Sequence, residues 1–140
     1  FIAYVTNVAG LDATAVFYFA ENGQTLAQGG YLFREEHVNR NLFVDDFRSV
    51  SDIITKKYGS AQKSDRLWSD DLYRDDPSDI GMAIAAGHVV IYEIWELADA
   101  TIEHKLDGDN FDVSHSVMYY SNEYYPLLSE EKENQDISEF

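Results

Sequence analysis

Asp75-Asp76-Pro77-Ser78-Asp79-Ile80-Gly81-Met82-Ala83-Ile84-Ala85-Ala86-Gly87-His88-Val89-Val90-Ile91-Tyr92-Glu93-Ile94-Trp95-Glu96-Leu97 is the most apolar stretch of an otherwise acidic chain, and its reading decides the fold. Asp76 offers a side-chain acceptor at a helix cap, and Pro77 suits the first helical position. Ser78 and Asp79 add acceptors and negative charge beside the exposed N–H groups. The pattern predicts a short helix over 77–86, stopped by Gly87 in a left-handed conformation. Val89 to Leu97 is rich in β-branched and aromatic residues and reads as a strand buried on both faces. A capped helix feeding a core strand carries no chemistry of its own.

Downstream, two alternating stretches predict a hairpin. Ile102, His104 and Leu106 share one face of the first strand. Phe111, Val113, His115, Val117 and Tyr119 share one face of the second. With Asp107-Gly108-Asp109-Asn110 as the turn, Leu106 is expected opposite Phe111, His104 opposite Val113 and Ile102 opposite His115. This makes His104 and His115 diagonal neighbours within about 8 Å on a mainly apolar face.

Three readings compete for the two histidines. A zinc site needs about three or four ligands, which makes His88 the candidate third. A general acid or base needs a partner and a pocket. The plainest expectation is that both are partly buried and hydrogen-bonded, or lie on a solvated face near the sheet edge.

Upstream, Phe43, Phe47, Val50, Ile54 and Tyr58 recur at helical spacing and predict an amphipathic helix over 43–58 packed on a sheet. Asp45 and Asp46 in its first turn and Lys56 and Lys57 in its last match the helix dipole, and Gly59 ends it. Before it, Phe1 to Ala9, Ala13 to Ala20 and Thr25 to Phe33 read as a three-stranded meander. Asn22-Gly23 is the hairpin signal, placing Phe19 opposite Leu26 and Tyr18 opposite Ala27. Gly29 and Gly30 suggest a bulge or the close approach of another element. Arg34 to Leu42 reads as a loop, and Asp65 to Trp68 as a short strand.

The acidic loop 69–79 carries Asp70, Asp71, Asp75, Asp76 and Asp79, which raises calcium. The alternation, central glycine and terminal glutamate of an EF-hand are absent, so capping and solvation are the expected roles. The elbow of serine hydrolases, phosphate-binding glycine loops, the zinc-protease helix motif and the dinucleotide fingerprint are all missing. No catalytic residue or cofactor is assigned. Ten tyrosines and two tryptophans supply aromatic surface for a sugar- or peptide-binding face, with Trp68 and Trp95 expected in the core.

With 140 residues the chain is expected to be one domain over 1–126, followed by an acidic tail over 127–140 that is loosely helical or disordered. Ten Lys and Arg against 26 Asp and Glu give a formal net charge of -16, which repels nucleic-acid phosphates and anionic lipid surfaces. The plain reading of this charge is solubility from an acidic surface, and the alternative is a surface for a basic protein partner, including one that the chain would engage as an inhibitor or a mimic of nucleic acid. There is no cysteine, so disulfides, thiolate zinc sites and cysteine nucleophiles are excluded. The start at Phe1, without methionine and within a predicted strand, reads as a mature or trimmed chain whose targeting segment lies upstream.

Lys57-Tyr58-Gly59 closing the helix, Trp68 in the next strand, Asp76 to Ala83 leading to Gly87-His88, and Trp95-Glu96 before Thr101-Ile102 together resemble a poorly characterised group of exported bacterial proteins. The resemblance spans 43–119. It is similar to the helix-then-meander units of small outer-membrane assembly lipoproteins and of the β-lactamase inhibitory protein. This implies an envelope or secreted location and a non-enzymatic binding role, with another protein or an envelope component as partner. The leading alternatives are the acidic inhibitor or mimic, and a metal enzyme or hydrolase using His88, His104 or His115. The expected fold is α+β: an antiparallel sheet of about six to seven strands with one long and one short helix on one face.

Overall fold

A computed structural model describes residues 1–138. Seven antiparallel strands, β1 (Ile2–Val8), β2 (Leu11–Ala20), β3 (Thr25–Phe33), β4 (Lys63–Trp68), β5 (Val89–Glu96), β6 (Ala100–Asp109) and β7 (Asp112–Ser121), form one open sheet. Their spatial order is β1-β2-β3-β7-β6-β5-β4. The N-terminal meander is therefore joined to the second half of the sheet through β3 and β7. The fold is α+β, as the residue pattern predicts.

Helix α1 (Leu42–Tyr58) buries Phe43, Phe47, Val50 and Ile54, the stripe read from the sequence. A 3-10 turn (Pro77–Asp79) leads into α2 (Ile80–Ala85), and the Asp76 carboxylate accepts the Ser78 N–H as its cap. Gly87 has φ 79, the left-handed stop expected there. Both helices cover one face of the sheet. Phe43, Phe47, Ala83 and Ile84 pack with Val89, Ile91 and Leu106. Val50 and Ile54 pack with Trp95, Ile102 and Val117. The Trp95 indole N–H donates to the Gly59 carbonyl at 2.8 Å, which ties β5 to the end of α1.

Three local expectations are corrected. β5 buries Val89, Ile91 and Trp95 on one face, with Glu93 between them only partly buried, while its other face is only half covered. The first hairpin pairs Phe19 with Leu26 as expected, but an irregularity then sets Tyr18 opposite Gln28. In the β6–β7 hairpin Leu106 faces His115, His104 faces Val117 and Ile102 faces Tyr119, and the turn is Asn110-Phe111, both at positive φ.

Gly108, read as a turn residue, is a strand residue. A Cβ there would lie 2.2 Å from the Ile84 carbonyl oxygen, so glycine is what lets α2 sit on β6. Gly30 does the same beside β7, where a Cβ would meet the Val117 carbonyl oxygen at 2.1 Å.

Helix α3 (Tyr125–Ser138) takes up most of the predicted tail, begins two residues earlier, and buries no residue fully. The Glu131 carboxylate accepts the Glu21 N–H, and the Tyr125 ring meets Tyr120 edge-on at 4.7 Å. Tyr120 points to the face opposite Tyr119, so α3 lies on the side away from α1. The last two residues of the tail fall outside the described residues. No described helix is long and apolar enough to cross a membrane.

Candidate functional site

His104 and His115 do meet. The shift of the hairpin register is an even number of residues, so both side chains keep the face that alternation gave them. Their Nε2 atoms lie 2.8 Å apart, and the His104 Nδ1 is 3.0 Å from Glu93 Oε1. Glu93 is the register partner of His104 across β5 and β6. The carboxylate accepts from His104 Nδ1–H, which leaves His104 Nε2 as acceptor and His115 Nε2–H as donor. The row is thus fully ordered by its one charged end.

Aromatic rings seal it. Phe47 of α1 stacks on His104 with ring centroids 3.8 Å apart, and Phe33 of β3 stacks on His115 at 4.3 Å. His104 is wholly buried and His115 nearly so. Burial lowers the His104 pKa, and the Glu93 carboxylate opposes this only in part. Burial and the neighbouring His104 push His115 down to about 3. Glu93 is raised by burial, but hydrogen bonds with His104 and Ser51 outweigh it and hold the carboxyl below its usual range. At neutral pH the row is a carboxylate with two neutral imidazoles.

His88, the expected third ligand, does not join them. It precedes β5 and lies five residues along the chain from Glu93, roughly 16 Å at the rise of an extended strand. There it stacks on Tyr73 at 5.5 Å, and its buried Nδ1, without a hydrogen-bond partner, is 4.0 Å from Asp70 Oδ1. Asp70 also accepts the Leu72 N–H, Asp71 pairs with Arg74 at 3.1 Å, and Asp75 is exposed. Among the described residues no group of three His, Cys, Asp or Glu side chains converges as metal ligands. The fourth histidine, His37, is held 2.6 Å from Asp46 and edge-on to Phe43, clamping the 34–41 loop to α1.

Two grooves flank the buried row. On the β3 side, Phe17, Leu26, Gly29, Tyr31, Tyr119 and Tyr124 are among the residues lining a largely apolar groove of about 490 Å³. Gly29 is in its lining with the Phe17 ring against it: a Cβ there would meet that ring at 3.2 Å, so the ring would have to give by a few tenths of an ångström, and a larger side chain would project into the groove. Tyr4 stacks on Phe17 from the outer strand at 5.9 Å. Burial pushes the Tyr119 phenol up to about 12, with Tyr58 and Tyr31 beside it adding to the effect, so it stays a neutral hydrogen-bonding group.

On the β4 side, between α1 and the sheet edge, lies a polar groove of about 530 Å³ whose wall includes Arg48, Arg66, Arg74, Trp68 and Glu93. Glu93 is the residue that the sequence reading missed. The alternation Val89, Ile91, Glu93, Trp95 points it inward, and that was the signal.

No family model matches the chain, and neither a curated protein nor a solved structure does.

Proposed function

We propose that this protein is a non-catalytic binding module whose ligand presents a flat, largely apolar body to the tyrosine groove over β2, β3 and β7. The observation that carries this is the side-chain-free position at Gly29 between Phe17, Tyr31 and Tyr119: space lined by aromatic rings, two of them phenols. A concave, mostly apolar site of about 300–1,000 Å³ with few polar groups is the usual form of a small-ligand site. Tyrosine gives such a wall rigid area with a hydrogen-bonding tip.

The closed state of the histidine row supports a role without catalysis. Each imidazole is engaged by the other or by Glu93, both are neutral, and Phe47 and Phe33 cover them. An envelope or secreted setting is part of the same proposal, supported by the resemblance over 43–119 and checked by fractionating the native host.

Titration calorimetry with indole tests the binding role. Saturable binding that Gly29→Leu removes and Arg66→Gln retains is expected. No binding up to the solubility limit of indole, or equal binding by Gly29→Leu, would overturn it.

A further inference from the structure

The chain has five arginines, Arg34, Arg40, Arg48, Arg66 and Arg74, against 26 acidic residues, and three of the five line one groove. They come from three different elements: Arg48 from α1, Arg66 from the edge strand β4, and Arg74 from the loop before the 3-10 turn. Bringing like charges together is unfavourable, and in so acidic a chain there are carboxylates enough to neutralise each. They do so incompletely.

Arg48 is 3.7 Å from Asp45 and Arg74 is 3.1 Å from Asp71, both pairs exposed, while Arg66 has no carboxylate within 4.0 Å among the described residues. The two acids of the groove wall have partners other than the arginine side chains. Asp65 turns back to accept the Arg66 backbone N–H at 2.7 Å, and Glu93 is held by His104 on the inner wall. Arg74 lies over the Trp68 ring at 5.6 Å, which restrains its guanidinium plane. Ser64 adds a hydroxyl to the same wall, while the Ser51 O–H is already donated to Glu93.

From this convergence we infer that the groove between α1 and β4 is a second binding site, for a small organic oxyanion. A guanidinium presents two parallel N–H donors that match the two coplanar oxygens of a carboxylate or phosphate. The volume accepts such a group together with one ring. Trp68 in the same wall gives that ring an apolar surface. The site is separate from the tyrosine groove, so its occupancy does not depend on what binds there.

The test is a titration of the protein with phenyl phosphate and with benzoate, and with neutral benzyl alcohol as control, read from backbone amide and arginine Nε–H signals. The expected result is saturable movement of the Arg48, Arg66 and Arg74 side-chain signals with the two anions, and none with benzyl alcohol. Affinity should fall about tenfold or more in Arg66→Gln and weaken steeply with salt. Which of the two anions binds more tightly distinguishes a phosphate from a carboxylate ligand. Arg66 stands exposed on the edge strand, so Arg66→Gln should keep the amide spectrum of the folded chain. Arginine signals that stay still at millimolar anion, equal binding of benzyl alcohol, or an Arg66→Gln variant that binds the anions as tightly would each overturn the inference. None of these results bears on indole binding to the tyrosine groove.

Discussion

One face of this sheet is two surfaces. Over β5, β6 and β7 it lies under α1 and α2, and Trp95, Ile102, His104 and Leu106 are without solvent exposure. Over β1, β2 and β3 the same face has no helix on it: Tyr4 is 53% exposed, and Phe17 and Tyr31 are half-buried. The strands are alike in length and alternation, and the difference lies in the cover. A helix stripe of Phe43, Phe47, Val50 and Ile54 is wide enough for about three strands at roughly 4.8 Å spacing. Beyond its reach the aromatics stack on one another and leave a groove. The covered half holds the fold together, and the open half carries the groove to which the proposed ligand is assigned.

The largest effect should come from the covered half. Trp95→Ala removes a buried ring and its hydrogen bond to Gly59, and should cost about 3–5 kcal/mol in denaturant unfolding. A loss under about 1 kcal/mol would place β5 outside the core and remove the contrast.

Acid should act next. The unfolded chain takes up protons as pH falls through 6.5, whereas buried His115 resists until about 3 and His104 is displaced in the same direction. Their contribution is therefore complete above pH 6.5 and is lost progressively below it, and Glu93 acts in the same sense below 4.5. From pH 6.5 to 4.5, His115 alone should cost roughly 2–3 kcal/mol, read as a shift in urea midpoint. In His115→Phe that slope should be shallower, and an unchanged slope would mean that the row is already protonated or open.

Gly108→Ala should cost about 1–3 kcal/mol, because its methyl would press against the Ile84 carbonyl and lift α2. An unaffected melting temperature would show that α2 is free to shift. Tyr31→Ala, in the open half, should change stability by under about 1 kcal/mol yet weaken indole binding. A stability loss as large as that of Trp95→Ala would make the two halves alike.

The residues foretold these halves unequally. The stripe of α1, the Asp76 cap and the Gly87 stop were legible because each depends on local spacing or a single backbone conformation. The β6–β7 register was not. Gly108 looks like a turn residue until α2 is placed against it, and Phe111 at φ 67 is a bulky residue that propensity would exclude from a turn. The histidine contact is legible all the same, because alternation fixes the face whenever the register differs by an even number of residues. The two grooves were out of reach. Arg48, Arg66 and Arg74 meet only through the packing of three elements, and the tyrosine groove exists because α1 stops short of β3, a matter of length and topology that no motif records.

The most direct test of the division is to map indole onto the protein by NMR, following amides and aromatic side chains through a titration. Saturable shifts are expected at Gly29, Tyr31, Tyr119 and Tyr124, with the His104 and His115 rings unmoved. Shifts centred on the two histidines, or no saturable shift on the β2–β3–β7 face, would contradict that division.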